Sequence, residues 1–313
     1  MHRATVSARA GLAGNPSDAY AGAAVAVPVP ARAATVEVVD APQVRVVGPA
    51  EDEHWTDVGA LVDDTARYGH EGGRRLVTAA TATLARHADQ RDNAFELRWS
   101  TTIPRSVGLA GSSALVVATM QALAARWRLA IEPIELARLA LAAEVDDLGI
   151  AAGLMDRAVQ AFGQPVLVDG DDARALSVAR SPALVVAWSA AAAGPSQQVH
   201  GPLRARFDAG EPAVVAAMGR LAEVGRRAAT ALETEDHETL GECVASTWAE
   251  RRALGIVGPE VVTMVDALSR AGIAATSAGS GGAVVGVLPP GMALDAARDA
   301  LGETCDDVVA VSP

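Results

Sequence analysis

The chain has 313 residues; half are hydrophobic, 3% are aromatic, 20% are charged, and the formal net charge is -12. Such a composition excludes a disordered chain, and the length suits two domains better than one. An acidic balance with no Lys/Arg run among aromatics argues against nucleic acid or an anionic membrane as partner, although a few arginines in a cleft can still hold an anionic substrate.

Short Val-rich runs at residues 4–14, 23–29, 34–40 and 43–48, bounded by Pro, Gly and Asp, predict four strands. Residues 21–33 imitate a secretory hydrophobic region. Asp18 just before them, the lack of a compact basic cluster, and Pro28 and Pro30 inside the run argue against export. A helix is predicted over 72–87 and an alternating strand (FELRWSTTI) over 95–103. Leu115, Met120, Leu123 and Trp127 mark a helix over 112–129, and Pro133 opens another that runs to about Asp147. Residues 151–162 read as a further short helix, and PVLVD and ALVVAWS as buried strands. In the second half, Val215, Met218, Leu221, Gly225, Ala228 and Leu232 form one stripe of a helix over 212–232. Helices over 236–252 and 259–271 follow, then a strand, a glycine turn and a strand (IAATSAGSGGAVVGVLP), a helix and a closing strand (DDVVAV). The change of character near residues 175–182 divides the chain into two α+β domains, 1–178 and 179–313, with no internal repeat. Cys243 and Cys305 lie far apart without metal-ligand spacing, which predicts neither a disulfide framework nor structural zinc and fits a reducing cytoplasm. No apolar run reaches the ~20 residues that span a bilayer.

Three clusters carry chemistry. Ser7 to Ala24 places Arg9 on a strand ahead of a turn made by Asn15, Pro16, Ser17 and Asp18; by itself this is an ordinary Asx-type turn. PRSVGLAGSSAL (Pro104 to Leu115) sets glycines and serines at the mouth of a helix. It is either a flexible connection or an anion site, where backbone N–H groups and the helix dipole face phosphate oxygens. It has no lysine, so it is not the ordinary P-loop, and it opens no βαβ unit, so it is not a dinucleotide fingerprint. The third, TSAGSGGAVVGV, carries Gly279, Gly281 and Gly282 and taken alone reads as a tight hairpin. Between the last two, Glu144 and Asp156 stand 156 − 144 = 12 positions apart near helix ends. They are either solvated acids, which the spacing alone favours, or a pair that shares cation binding and proton transfer; the apolar neighbours of Asp156 argue only that it is not a pure surface group.

In this order the clusters resemble the GHMP kinases, the superfamily of galactokinase, homoserine kinase, mevalonate kinase and phosphomevalonate kinase. Within it, ARAGLAGNPSDAYAG, YGHEGGRRL, IPRSVGLAGSSAL, LGIAAGLMDRAVQAFG, PSQQVH and GSGGAVV are similar to the plant glucuronokinases. The resemblance implies a two-domain α+β fold, with an N-terminal mixed α/β nucleotide-binding domain, a C-terminal ferredoxin-like domain and the active site between them. It implies an ATP- and Mg²⁺-dependent cytoplasmic kinase, a monomer or homodimer, acting on the anomeric hydroxyl of a small-molecule sugar acid, D-glucuronate first. Another sugar, a mevalonate-like alcohol, or a non-catalytic ligand-binding protein on the same fold are the alternatives. Carried over, Asp156 is the catalytic acid residue and Arg9 its partner. Pro104, Gly108, Leu109, Ala110, Gly111, Ser112, Ser113, Gly279, Ser280, Gly281 and Gly282 wrap the nucleotide. Ser113 (or Ser112) and Glu144 hold Mg²⁺, and Asn15, Ser17 and Asp18 contact the acceptor. A uronate also needs a cationic partner; Arg157 is the first choice, ahead of Arg105, Arg74 and Arg75. Gln198 stands where the plant enzymes imply lysine, and His200 is a further possible ligand contact. Trp55, Trp99 and Trp188 are candidate adenine walls or, better, core anchors.

Overall fold

A computed structural model of the chain describes residues 1–48, 52–194 and 197–311, with backbone alone at 197–200. The strands are β1 (His2–Ala13), β2 (Ala23–Val39), β3 (Val44–Val47), β4 (Asp52–Trp55), β5 (Glu96–Thr101), β6 (Val166–Asp169), β7 (Asp172–Ala175), β8 (Leu184–Trp188), β9 (Ala274–Ser277), β10 (Ala283–Val287) and β11 (Asp307–Val311). The helices are α1 (Val58–Tyr68), α2 (Arg75–Ala88), α3 (Gly111–Trp127), α4 (Pro133–Ala142), α5 (Met155–Phe162), α6 (Gln197–Asp208), α7 (Pro212–Glu233), α8 (His237–Ala253), α9 (Pro259–Arg270) and α10 (Leu294–Leu301).

β1 to β7 build one seven-stranded sheet in the order β4-β3-β5-β2-β6-β7, with β1 along β2; only β3 and β5 run parallel. β8 to β11 form a second, antiparallel sheet in the order β11-β8-β10-β9. Counted within that sheet, the order is 4-1-3-2, the ferredoxin-like arrangement. The chain passes from one sheet to the other between Ala175 and Leu184, and one apolar core runs from Val25, Leu97 and Met120 through Leu232 to Val186 and Val285. The small Ala and Val side chains explain how helices and sheets approach closely enough to fill it without aromatics. Among the described residues no helix is long and apolar enough to cross a membrane.

The two strands expected over 23–29 and 34–40 are one strand of 17 residues. On the edge opposite β1, β6 pairs with Ala23–Ala26 and β5 with Ala34–Val39. Pro28 and Pro30 fall in the gap between these ladders, where a missing N–H costs least. Four further elements lie outside the sequence expectations: β4, α1, β7 and α6. α1 is fixed by Asp57, whose carboxylate accepts the Ala60 N–H at 2.8 Å. α6 contains Gly201 and Pro202, which spoil its helical pattern, and it is held by Leu203 packing with Val214, Met218 and Leu221 of α7. The helix expected to run to Asp147 changes pitch, with α4 ending at Ala142 and a wider π turn covering Ala143–Asp147.

Candidate active site

The free edge of β1 is where the two glycine turns attach. The Arg9 N–H donates to the Leu109 carbonyl at 3.2 Å, and the Gly11 N–H donates to the Ala278 carbonyl at 2.8 Å. An edge strand thus satisfies its backbone on the loops it positions. Gly108 has φ +86, which favours glycine, and Ala110 enters α3 in the left-handed region without a side-chain cap. The Ala110 carbonyl accepts from the Gln160 amide (2.9 Å) and the Ser113 hydroxyl (3.2 Å), which pins the start of α3. The second turn lies directly on the first. A β-carbon at Gly281 would stand 2.4 Å from the Val107 carbonyl carbon, and one at Gly279 2.3 Å from the Gly108 oxygen. Only glycine permits that approach.

Arg9 locks this corner to α5. Its Nε donates to the Asp156 carboxylate at 2.6 Å, and its Nη1 donates to the carbonyls of Gly108 (2.7 Å) and Ala278 (2.9 Å). Arg9 is buried while Asp156 keeps about a fifth of its side chain exposed. Arg9 therefore orients a carboxylate that is still partly exposed.

Glu144 sits on the π turn, fully buried and ion-paired with Arg157. A local change of helical pitch at such a residue is a common device at functional sites. Burial pushes the Glu144 carboxyl up, against the pull of Arg157, and the neighbouring charge of Asp156 pushes the same way. Burial works against the charge of Arg157, but Glu144 and Asp156 hold its pKa above the ordinary value. One oxygen of Glu144, Oε1, has no partner. The Ser113 hydroxyl is buried and spent on the Ala110 carbonyl, while Ser112 helps to hold the Glu144 pKa down against burial. Two expectations are corrected here. Ser113, the first choice, is committed to Ala110, which leaves its stated alternative Ser112 beside Glu144. Arg157 is consumed by Glu144 and the Gly153 carbonyl (2.9 Å), so it is not available to a substrate carboxylate.

The turn after β1 is held by α8 and α7. The Thr247 hydroxyl accepts the Gly14 N–H at 3.0 Å, the Arg251 Nη1 donates to the Asn15 carbonyl at 3.3 Å, and a β-carbon at Gly225 would lie 2.2 Å from the Ala23 oxygen. Ser17 is a third correction: it is fully buried and its hydroxyl donates to the Ala23 carbonyl at 2.8 Å, a structural bond. Asn15 is buried with its Oδ1 unpartnered. Asp18 lies over Gly153, whose missing β-carbon would stand 2.5 Å from the carboxylate. Burial, and then the charge of Asp156, raise the Asp18 pKa to about 6, with Arg9 opposing. A carboxyl raised in the folded state binds protons that the unfolded chain has already released, so it lowers stability as pH rises from about 4 to 6. Asp18→Asn is therefore expected to raise Tm at pH 7.5, with the gain shrinking towards pH 4, while kcat/KM falls; unchanged Tm at pH 7.5 would show that Asp18 carries no such penalty.

Of the remaining candidates, Pro104 is half-buried and Leu109 buried in the 104–113 turn. Arg105 and Arg75 are exposed, and Arg74 pairs with Glu53. Trp188 is buried, and Trp55 and Trp99 pack against the main core. Pro195 and the side chains of Gln198 and His200 lie outside the described residues. Two residues were not anticipated. Gln160 positions α3, and Arg251 is 2% exposed in α8. Arg251 falls on the stripe Leu240, Val244, Thr247 that α8 buries, and an arginine at a core position of an amphipathic helix is the signal that marks it.

Two family models match: the GHMP kinases N terminal domain over residues 75–164 and the GHMP kinases C terminal domain over 228–307. Glucuronokinase 1 of Arabidopsis thaliana is 31% identical over an alignment covering 91% of this chain and 84% of that protein. Among solved structures, the mevalonate kinase of Methanococcus jannaschii superposes with a TM-score of 0.79 at 15% identity, covering 99% of this chain and 97% of that one. The galactokinase of Lactococcus lactis, complexed with galactose, gives 0.80 at 16% identity and covers 99% and 93%. With the two glycine turns, the Arg9–Asp156 pair and Glu144 in one corner, this chain belongs to the GHMP kinases, ATP-dependent enzymes that transfer phosphate to a hydroxyl.

Proposed function

We propose that the chain transfers the γ-phosphoryl group of ATP to the anomeric hydroxyl of a sugar acid, with D-glucuronate as the favoured acceptor and a sugar 1-phosphate as product. The observation that carries this reading is the Asp156 carboxylate, held by Arg9 between the two glycine turns and open on one side. The likeness over nearly the whole chain to a protein named glucuronokinase supports the choice of acceptor.

Phosphoryl transfer asks mainly for alignment and charge neutralisation. The uncapped start of α3 and the N–H groups of Gly108 to Ser113 receive the phosphates, with the 279–282 turn closing over them. Asp156 accepts a hydrogen bond from the acceptor hydroxyl, orients its oxygen toward the γ-phosphorus and takes its proton as the bond forms. Arg9 fixes the rotamer of Asp156 through one bond and ties it to both turns through two others. Asn15 and Asp18 offer polar groups to the sugar. The residues fit Mg²⁺: Glu144 keeps one buried oxygen without a partner, and Ser112 adjoins it. One carboxylate and one hydroxyl suffice for a cation that completes its shell with phosphate oxygens and water. When bound there, Mg²⁺ neutralises charge on the phosphates, and Ser112 and Glu144 are the residues that hold it.

The test is ADP release with Mg²⁺-ATP across D-glucuronate, D-galacturonate, D-glucose, D-galactose and mevalonate, with the product identified by phosphorus NMR. D-glucuronate should give the highest kcat/KM and an anomeric phosphate. Turnover confined to neutral sugars or mevalonate removes the sugar-acid assignment, and no turnover with any of them favours a non-catalytic role.

A further inference from the structure

With Arg157 committed to Glu144, a sugar-acid acceptor lacks a cationic partner at the expected place. The carboxylate of a uronate is carried on C5, joined to the anomeric carbon through the ring oxygen, so its receptor must lie near the transfer corner but at a point of the wall other than Asp156. A cavity of about 270 Å³ opens on the second-sheet side of the 279–282 turn, lined by Arg251, Ser277, Gly279, Ser280, Gly258 and Glu260 among others. It lies just below the range typical of small-molecule pockets, which suits a monosaccharide and not a nucleoside triphosphate.

Three features of this cavity favour an anion. Arg251 is buried, forms no ion pair among the described residues, and spends Nη1 and Nη2 on the carbonyls of Asn15 (3.3 Å) and Gly279 (2.8 Å), which leaves Nε without a partner. Ser277 is 2% exposed, and its hydroxyl is also unpartnered. The start of α9 at Gly258 has no side-chain cap, so the positive end of a 12-residue helix borders the same space. The opposing group is Glu260, which is exposed to solvent. Burial and repulsion from Arg9 lower the Arg251 pKa to about 10, so the side chain stays charged at neutral pH. A buried charge without a counter-ion is costly, and a bound carboxylate would supply the missing one. Arg251 also touches the turn that carries Asn15 and Asp18, and it holds the Gly279 carbonyl next to the Ala278 carbonyl that Arg9 holds, which connects the cavity to the transfer corner.

We infer that Arg251 and Ser277 form the receptor for the carboxylate of the acceptor, and that they select sugar acids over neutral sugars. The inference rests on the sugar-acid reading above and goes beyond it by assigning the selecting residues.

Steady-state kinetics of Arg251→Met and Ser277→Ala, with Mg²⁺-ATP and D-glucuronate, test it. Loss of a buried charge partner is expected to raise KM for D-glucuronate about 30-fold or more in Arg251→Met, and loss of the hydroxyl about threefold to tenfold in Ser277→Ala. KM for ATP should stay within about threefold in both, a separation that a merely structural role does not produce. An unchanged KM for D-glucuronate, or an equal rise for ATP, overturns the inference and leaves the sugar-acid reading standing. If Arg251→Met does not fold, Ser277→Ala decides by the same criteria. If the wild-type enzyme turns over no sugar acid, the reading fails, and calorimetric binding of D-glucuronate decides the receptor. Binding weakened in Ser277→Ala supports it, and no binding to the wild type overturns it.

Discussion

Asp156→Asn is expected to lower kcat by about 10²- to 10⁴-fold, the usual contribution of a positioned proton acceptor, while KM for ATP changes only a few-fold. The separation follows from the geometry. Asparagine keeps an oxygen that can accept from the Arg9 Nε, and Arg9 keeps its bonds to the Gly108 and Ala278 carbonyls. The two turns therefore stay docked and the phosphate loop keeps its shape. What disappears is the negative charge that, in the proposed reaction, draws the proton from the acceptor. Leaving the Arg9 charge against a neutral amide should cost about 1–3 kcal/mol of stability, read as a lowered Tm. Near-normal kcat in a folded Asp156→Asn enzyme would show that another group takes the proton.

The second large effect is mechanical. Gly281→Ala places a β-carbon 2.4 Å from the Val107 carbonyl carbon and 2.6 Å from both the Gly108 nitrogen and the Ser106 oxygen. All three are backbone atoms of the phosphate loop and none can swing aside. The turn must lift from the loop, and displacement of a closing segment by about 1 Å costs on the order of 100-fold in rate. We expect kcat/KM for ATP to fall at least that far, with Tm lowered by several degrees. Gly219→Ala in α7 is the matched control. Nothing lies within 4 Å of its added carbon, so it should leave kinetics unchanged and gain about 0.5–1 kcal/mol from helix propensity. Equal behaviour of the two variants would remove the steric argument.

The glycine turns, Arg9, Glu144 and Asp156 were legible in the sequence because their types and order are unusual together, and the structure gathers them in one corner. The ferredoxin-like second domain came from the resemblance, not from the run of elements, and the strand order 4-1-3-2 agrees with it. What stayed hidden depends on which neighbour a side chain finds. Ser112 and Ser113 are chemically identical, and only the phase of α3 decides which meets Glu144. Arg157 adjoins Asp156 in sequence, but its helix turns it toward a buried carboxylate that attracts it more strongly than solvent does. Arg251 shares the doublet Arg251–Arg252 with an exposed arginine, and burial alone separates the two. The continuity of β2 was masked because prolines mark breaks only where both edges of a strand are paired.

The three bonds of the Arg9 side chain reach residues 99, 147 and 269 positions away. Arg9 thus joins strand β1 to the 104–113 turn, to α5 and, in the second sheet, to the turn after β9. Without the Ala278 carbonyl, Arg9 would lose one of its three bonds and the Gly11 N–H its partner. One side chain therefore makes the order of the first-sheet corner depend on the second sheet, so loosening β9 is expected to loosen the Arg9–Asp156 pair as well.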